Sequence, residues 1–268
     1  MGLRFVAFII TSVAVLVLAS DLRGAQMKPW NNAGLTGPPT ASSAPAPRRD
    51  LSGIWDAGPG GIQPTGYNVA ALFTARGKQV AETHKPGNGP RIADVSEDND
   101  PLSTLGDPTG FPRLVLYELR PFQIVQTANQ VLMLYMFEKR WRNIWTDGRA
   151  LPKDPDPRWY GYSVGRWEDD YTLVVESVGM DDRTWLDNAG DPHSASLRVE
   201  ERYHRVNQNT MELTVILDDP VMYTKPWTPL SKLAISLMPN DADLMEMVPS
   251  ASEAAAYRRE IAGQAKTK

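Results

Sequence analysis

The chain of 268 residues contains no cysteine and only three histidines. The first absence excludes disulfides, thiolate metal sites, a lipoprotein anchor and a cysteine nucleophile, so ordinary packing must hold the fold. The second leaves His84, His193 and His204 without H-x-H or H-E-x-x-H spacing, the usual basis of a metal site. Asp187, Asn188, Gly190 and Asp191 imitate part of a calcium loop but lack its terminal glutamate, so no metal is expected. No glycine-rich loop follows a strand and opens a helix, and no nucleotide or other cofactor is expected either. Basic clusters are equally scarce. With a net charge of −4, a pI of about 5.5 and nothing basic beyond the Arg48–Arg49 pair, the chain lacks the footprint that a phosphate backbone needs. Nucleic acid is not an expected partner.

The one long apolar run lies at the N-terminus, where Arg4 precedes Phe5 to Ala19. It is short for a comfortable bilayer span and reads as a secretory signal peptide over residues 1–19, with cleavage after Ala19. An uncleaved signal that anchors the chain is the alternative. Residues 20–50 are rich in Pro, Ala and Ser without helix or strand period, and read as a disordered linker. Residues 51–250 fit a single β domain, and 251–268 a C-terminal helix and tail, with Ser250 and Glu253 at capping-box spacing. The expected localisation is export, to the periplasm or beyond, with no membrane span left after signal cleavage.

From Leu51 onward, short β-branched and aromatic runs alternate with turn residues. Strands are expected over Leu51–Asp56, Arg113–Glu118, Phe122–Thr127, Gln130–Phe137, Arg140–Thr146, Tyr162–Trp167, Tyr171–Gly179, Leu197–Val206, Met211–Asp218, Leu230–Leu237 and Leu244–Val248. One helix is expected early, from Asn68 to His84, although Gly77 weakens it, and another from Ser250 to Ala262. Asp147–Gly148 has hairpin-turn chemistry. Short connections predict antiparallel neighbours, and a meander with so little helix predicts a closed or nearly closed barrel, since closure removes exposed edges. A two-sheet β-sandwich is the alternative architecture.

The irregular segment from Gly179 to Ser196, wedged between two alternating strands, gathers Asp181, Asp182, Arg183, Trp185, Asp187, Asn188, Asp191, His193 and Ser194. Loops of that length inside a domain are often functional. His193 is the leading candidate for chemistry, because imidazole titrates near neutrality, with Asp187 or Asp191 to orient its ring. A hydrophilic surface histidine is the bland reading. Gly161 to Gly165 matches G-x-S-x-G, but a polar turn and another strand follow where a nucleophile elbow needs a helix, so Ser163 is expected to be a strand residue. Glu201 shares strand parity with Leu197, Val199 and Tyr203, which turns a carboxylate toward the core. It is read as an acid or base in a lumen, or as a structural ion pair with Arg142 or Arg166. Glu176 raises the same question. Arg198, Glu200, Arg202 and His204 form a solvated face. Among the eight tryptophans, Trp141, Trp145, Trp185 and Trp227, with Tyr223, are candidate walls of a ligand pocket.

Gly53-Ile54-Trp55 followed by a β-meander resembles the calycin superfamily of lipocalin-type barrels, which implies binding of small apolar ligands. The segments GYSVGRWEDDYTLVVESVG, TWLDNAGDPHS, ERYHRV and DDPVMYTKPW, together with GFPR at Gly110–Arg113 and TDGR at Thr146–Arg149, resemble a large group of exported bacterial β-rich proteins. Members of that group carry a cysteine shortly before the GFPR stretch and another near the C-terminus. Leu105 and Pro249 stand at those places here, so the disulfide that the resemblance implies is absent.

Three functional readings follow. The first is an exported barrel that binds a small organic molecule, aromatic, terpenoid or sugar-like, in a Trp-lined lumen or mouth under a Gly179–Ser196 lid. The second is a cofactor-independent lyase, isomerase or hydrolase that uses His193, Asp187 and Glu201. The third is a cell-envelope scaffold.

Overall fold

The structure, a computed structural model, describes residues 44–63, 66–248, 250–257 and 259–260. The expected signal peptide, the first part of the expected linker and the end of the expected C-terminal helix lie outside them. Nine strands pair in sequence order and close into one barrel: β1 (Gly53–Asp56), β2 (Phe122–Gln126), β3 (Gln130–Tyr135), β4 (Trp141–Trp145), β5 (Tyr162–Trp167), β6 (Thr172–Val178), β7 (Arg198–Asn207), β8 (Thr210–Asp218) and β9 (Trp227–Leu237). Period-two burial in β3, β7 and β8 turns Val131, Met133, Tyr135, Val199, Glu201, Tyr203, Met211, Leu213, Val215 and Leu217 to the core. The sandwich alternative is thereby set aside. Among the described residues, four helices decorate the barrel: α1 (Ala75–Thr83), α2 (Pro101–Leu105), α3 (Arg113–Leu116) and α4 (Ala251–Tyr257). Among the described residues, no helix is long and apolar enough to cross a membrane.

The Gly-x-Trp stretch closes the ring. Gly53 adopts φ +140°, and an added Cβ would stand 2.5 Å from Leu237 Cδ1 on β9, so only glycine lets β1 lie between β2 and β9. Trp55, fully buried, donates its indole N–H to Leu51 O at 2.8 Å, and the Arg205 guanidinium lies 5.1 Å from its ring.

Several expectations are corrected. Pairing is not antiparallel throughout: β4 and β5 run parallel, because residues 146–161 form a long crossover instead of a hairpin at Asp147–Gly148. Asp147 there grips Arg149. The run expected as a strand over Arg113–Glu118 contains the helix α3, with Arg113, Leu114, Val115 and Leu116 all buried. A short, continuously apolar run carries no period to separate a buried strand from a buried helix. The early helix starts at Ala75, not near Asn68. Thr74 caps it by accepting from Gly77 N at 3.0 Å, and a 3-10 turn at Ala70–Leu72 precedes it. Gly77 belongs in α1 because a Cβ there would meet Met222 O at 2.1 Å. Leu244–Val248 forms no strand; Met247 makes a single bridge to Phe137. Residues 44–50 of the expected linker are docked on the barrel: Arg48 and Arg49 pair with Asp170, and Gln208 N donates to Ala44 O at 3.1 Å. The capping box at α4 forms as spaced, with Ser250 N donating to Glu253 Oε2 at 2.9 Å and Glu253 N to Ser250 Oγ at 3.3 Å.

Candidate functional site

The barrel interior is a largely apolar core that holds one buried polar network. Arg142 of β4 donates to Glu201 of β7 through both terminal nitrogens, and its Nε reaches Ser163 Oγ of β5 at 3.1 Å. Ser177 of β6 bonds to Ser163 at 2.8 Å, and Tyr203 OH donates to Glu201 Oε1 at 2.7 Å. Phe111 enters ahead of α3 and lays its ring 3.9 Å from the Arg142 guanidinium. Arg142 and Glu201 are 3% and 0% exposed, so a buried ion pair with every oxygen and nitrogen matched is what stands at this position. Burial opposes the Arg142 charge, but the Glu201 carboxylate overrides it and raises the Arg142 pKa. Of the two partners weighed for Glu201, Arg142 is the one it meets. Glu176 faces the other way, because β6 turns Leu173, Val175 and Ser177 inward against Tyr203, Glu201 and Val199.

The Gly179–Ser196 segment is a buried plug and not a lid. Every residue from Thr184 to Ser194 is buried. Its backbone can be buried because side chains of the plug and of the elements around it satisfy it. Asp187 accepts from Ala189 N at 3.0 Å, Asp191 N at 3.1 Å and Tyr67 N at 2.9 Å. Asp219 receives Ser194 N at 2.6 Å and Ser194 Oγ at 2.8 Å, and Tyr223 OH donates to Pro192 O at 2.8 Å. From the α1 side, His84 donates to Gly190 O at 2.8 Å and stacks on Trp185 at 4.7 Å, while Arg91 donates to Ala189 O and Asp191 Oδ1.

His193 therefore lies inside the plug, its Nε2 2.8 Å from Thr184 Oγ1 and its Nδ1 3.3 Å from Ser194 O. Burial lowers its pKa, with Ser194 O opposing. The three proposed catalytic residues do not converge: none of the hydrogen bonds of His193, Asp187 or Glu201 joins one to another. Trp185, Trp227 and Tyr223 likewise serve packing. Trp227 contacts Tyr67 and Tyr223 with ring centroids 5.7 and 5.5 Å apart.

Trp141 and Trp145 have a different setting. They alternate on the outer face of β4, with Arg142 and Ile144 turned inward. The parallel ladder beside them pairs only Ile144 with Ser163 and Trp145 with Val164. At this seam lies a cavity of about 480 Å³, bounded by Trp141, Trp145, Arg149, Arg158, Tyr160 and Tyr162, with the buried Arg142 and Ser163 among its lining. Arg149 lies 3.6 Å from the Trp145 ring and Arg158 4.0 Å from the Tyr162 ring. Trp141 is 64% exposed and makes no ring contact among the described residues. No family model, curated protein or solved structure matches this chain. The geometry alone must speak.

Sequence reasoning named the two tryptophans of this cavity and missed its arginines and tyrosines. Their signal was legible in PRWYGY, Pro157 to Tyr162, where basic and aromatic residues interleave at the end of the crossover loop. The plug fixes that wall in place: Arg158 N donates to Gly179 O and Asp181 N to Arg158 O, both at 3.0 Å, and Phe111 N donates to Trp159 O at 2.8 Å.

Proposed function

We propose that the protein binds a small planar organic molecule at the β4–β5 seam, on the outer face of the barrel and not in its lumen. The observation that carries this reading is the aromatic-walled cavity of about 480 Å³ beside an exposed Trp141 that has no ring partner among the described residues. Its volume is within the range of small-molecule sites, and large aromatic side chains are what such sites use for contact area. Binding is favoured over acid–base catalysis because the described lining residues include no histidine, aspartate or glutamate. Tyr160 is a poor proton donor there, since burial and then Glu138 raise its pKa. The signal-like N-terminus and the resemblance of its motifs to those of exported β-rich proteins support action outside the cytoplasm.

The test is isothermal titration calorimetry with 2-naphthamide, a neutral planar probe. The parent protein is expected to bind it, and Trp141→Ala to lose at least ~10-fold in affinity, the scale of a large aromatic contact. Trp141 is exposed, so the variant keeps its fold, which circular dichroism checks. Unchanged affinity in Trp141→Ala would overturn the assignment.

A further inference from the structure

Resting on that reading, we infer that the seam selects an anion, and that its ligand is a planar aromatic carboxylate whose charged group is received by Arg158. The chain carries a net charge of −4, yet the described residues lining the cavity include three arginines and no carboxylate. Two of the three are already matched. Arg142 is neutralised by Glu201 within the lumen, and Arg149 is held by Asp147, with Nε and Nη2 reaching Oδ1 and Oδ2 at 3.0 and 2.7 Å. Arg158 has no carboxylate partner among the described residues; its guanidinium rests on the Tyr162 ring at 4.0 Å.

An arginine stacked on an aromatic face keeps its edge N–H groups free, and that planar fork matches a carboxylate with two parallel hydrogen bonds. The stack also restrains the side chain before the ligand arrives, and the backbone of residue 158 is pinned to Gly179 and Asp181 by the two 3.0 Å bonds described above. The ring of the ligand has its own partners, Trp141 and Trp145 on one strand face. Charge and ring are thus recognised by separate residues. A terpenoid hydrocarbon would use the tryptophans and leave Arg158 idle. A neutral sugar would not draw on its charge.

The experiment compares 2-naphthoate with its neutral amide, 2-naphthamide, by calorimetry in the parent protein and in Arg158→Gln. In the parent, naphthoate is expected to bind about tenfold more tightly, the worth of one charge-assisted contact, and the preference should shrink as salt is raised. In Arg158→Gln the ratio should fall to near one. Equal affinities in the parent, or a ratio that survives the substitution, would overturn the inference while leaving the seam site standing, provided that naphthamide binding still depends on Trp141. If neither probe binds, the proposed site falls and the inference falls with it.

Discussion

Asp191 offers a measurement that reports directly on the plug. Its Oδ1 accepts from Arg91 at 2.8 Å, but its Oδ2 receives no donor, and the neighbouring carboxylate is Asp187, which already takes three backbone N–H groups. Burial and the Asp187 carboxylate both favour a proton on Asp191. Burial first, and Asp187 second, raise the Asp191 pKa from 3.8 to about 8, with Arg91 opposing. In the unfolded chain the same group ionises near pH 4. Between these values the unfolded state has lost a proton that the folded state keeps, so rising pH favours unfolding by up to about 1.4 kcal/mol per pH unit. Stability from this group is thus complete below pH 4 and is lost progressively until the folded group ionises near pH 8. The loss across that window is set against the ~5–15 kcal/mol that holds a domain together, so it is measurable in an unfolding titration. Asp191→Asn keeps the acceptor for Arg91 and supplies a permanent N–H toward Asp187. Urea unfolding from pH 4 to 9 should show the two proteins alike at the acid end and the variant progressively more stable as pH rises. A difference between them that does not change with pH would refute a proton held on Asp191.

Two further outcomes test the packing. Glu201→Gln should destabilise the barrel by about 3–5 kcal/mol, because it strands the buried Arg142 charge, whereas the double variant Arg142→Met/Glu201→Leu should cost much less than the sum of its single changes; additive losses in denaturant midpoints would refute the pairing. Gly77→Ala should lower stability by ~1–3 kcal/mol although alanine is the better helix former, because the new methyl meets Met222 O at 2.1 Å; a stabilised variant in a thermal scan would contradict the close approach.

The barrel was legible in the sequence where alternation was strong. Leu213, Val215 and Leu217 declare β8, and parity alone turned Glu201 inward. What escaped were features that depend on distant partners. Nothing local to Arg113–Leu116 says that it is enclosed on all sides, so a helix there looks like a strand. Nothing local to Asp147–Gly148 says that the chain will cross over instead of turning back. The polar Gly179–Ser196 segment read as a solvent-facing lid, because composition does not reveal that Asp187 and Asp219 satisfy buried backbone groups. Trp141 and Trp145 were legible from their shared face and Arg158 from PRWYGY, but only the fold brings Arg149 and Arg158 of the crossover loop to the same cavity.

The lumen network also acts as a register gauge. β3 to β7 each contribute to it, through Tyr135, Arg142, Ser163, Ser177 and Glu201. A slip of one residue in a strand sends all its inward side chains outside. For β4 or β7, that error would leave one bare charge in the core. The control matters most across the β4–β5 seam, where two residue pairs give the backbone little grip and the Arg142–Ser163 bond ties the strands from within. Chain closure at that point is thus policed by electrostatics, and the wall that carries the cavity inherits its alignment from a charge it never shows to solvent.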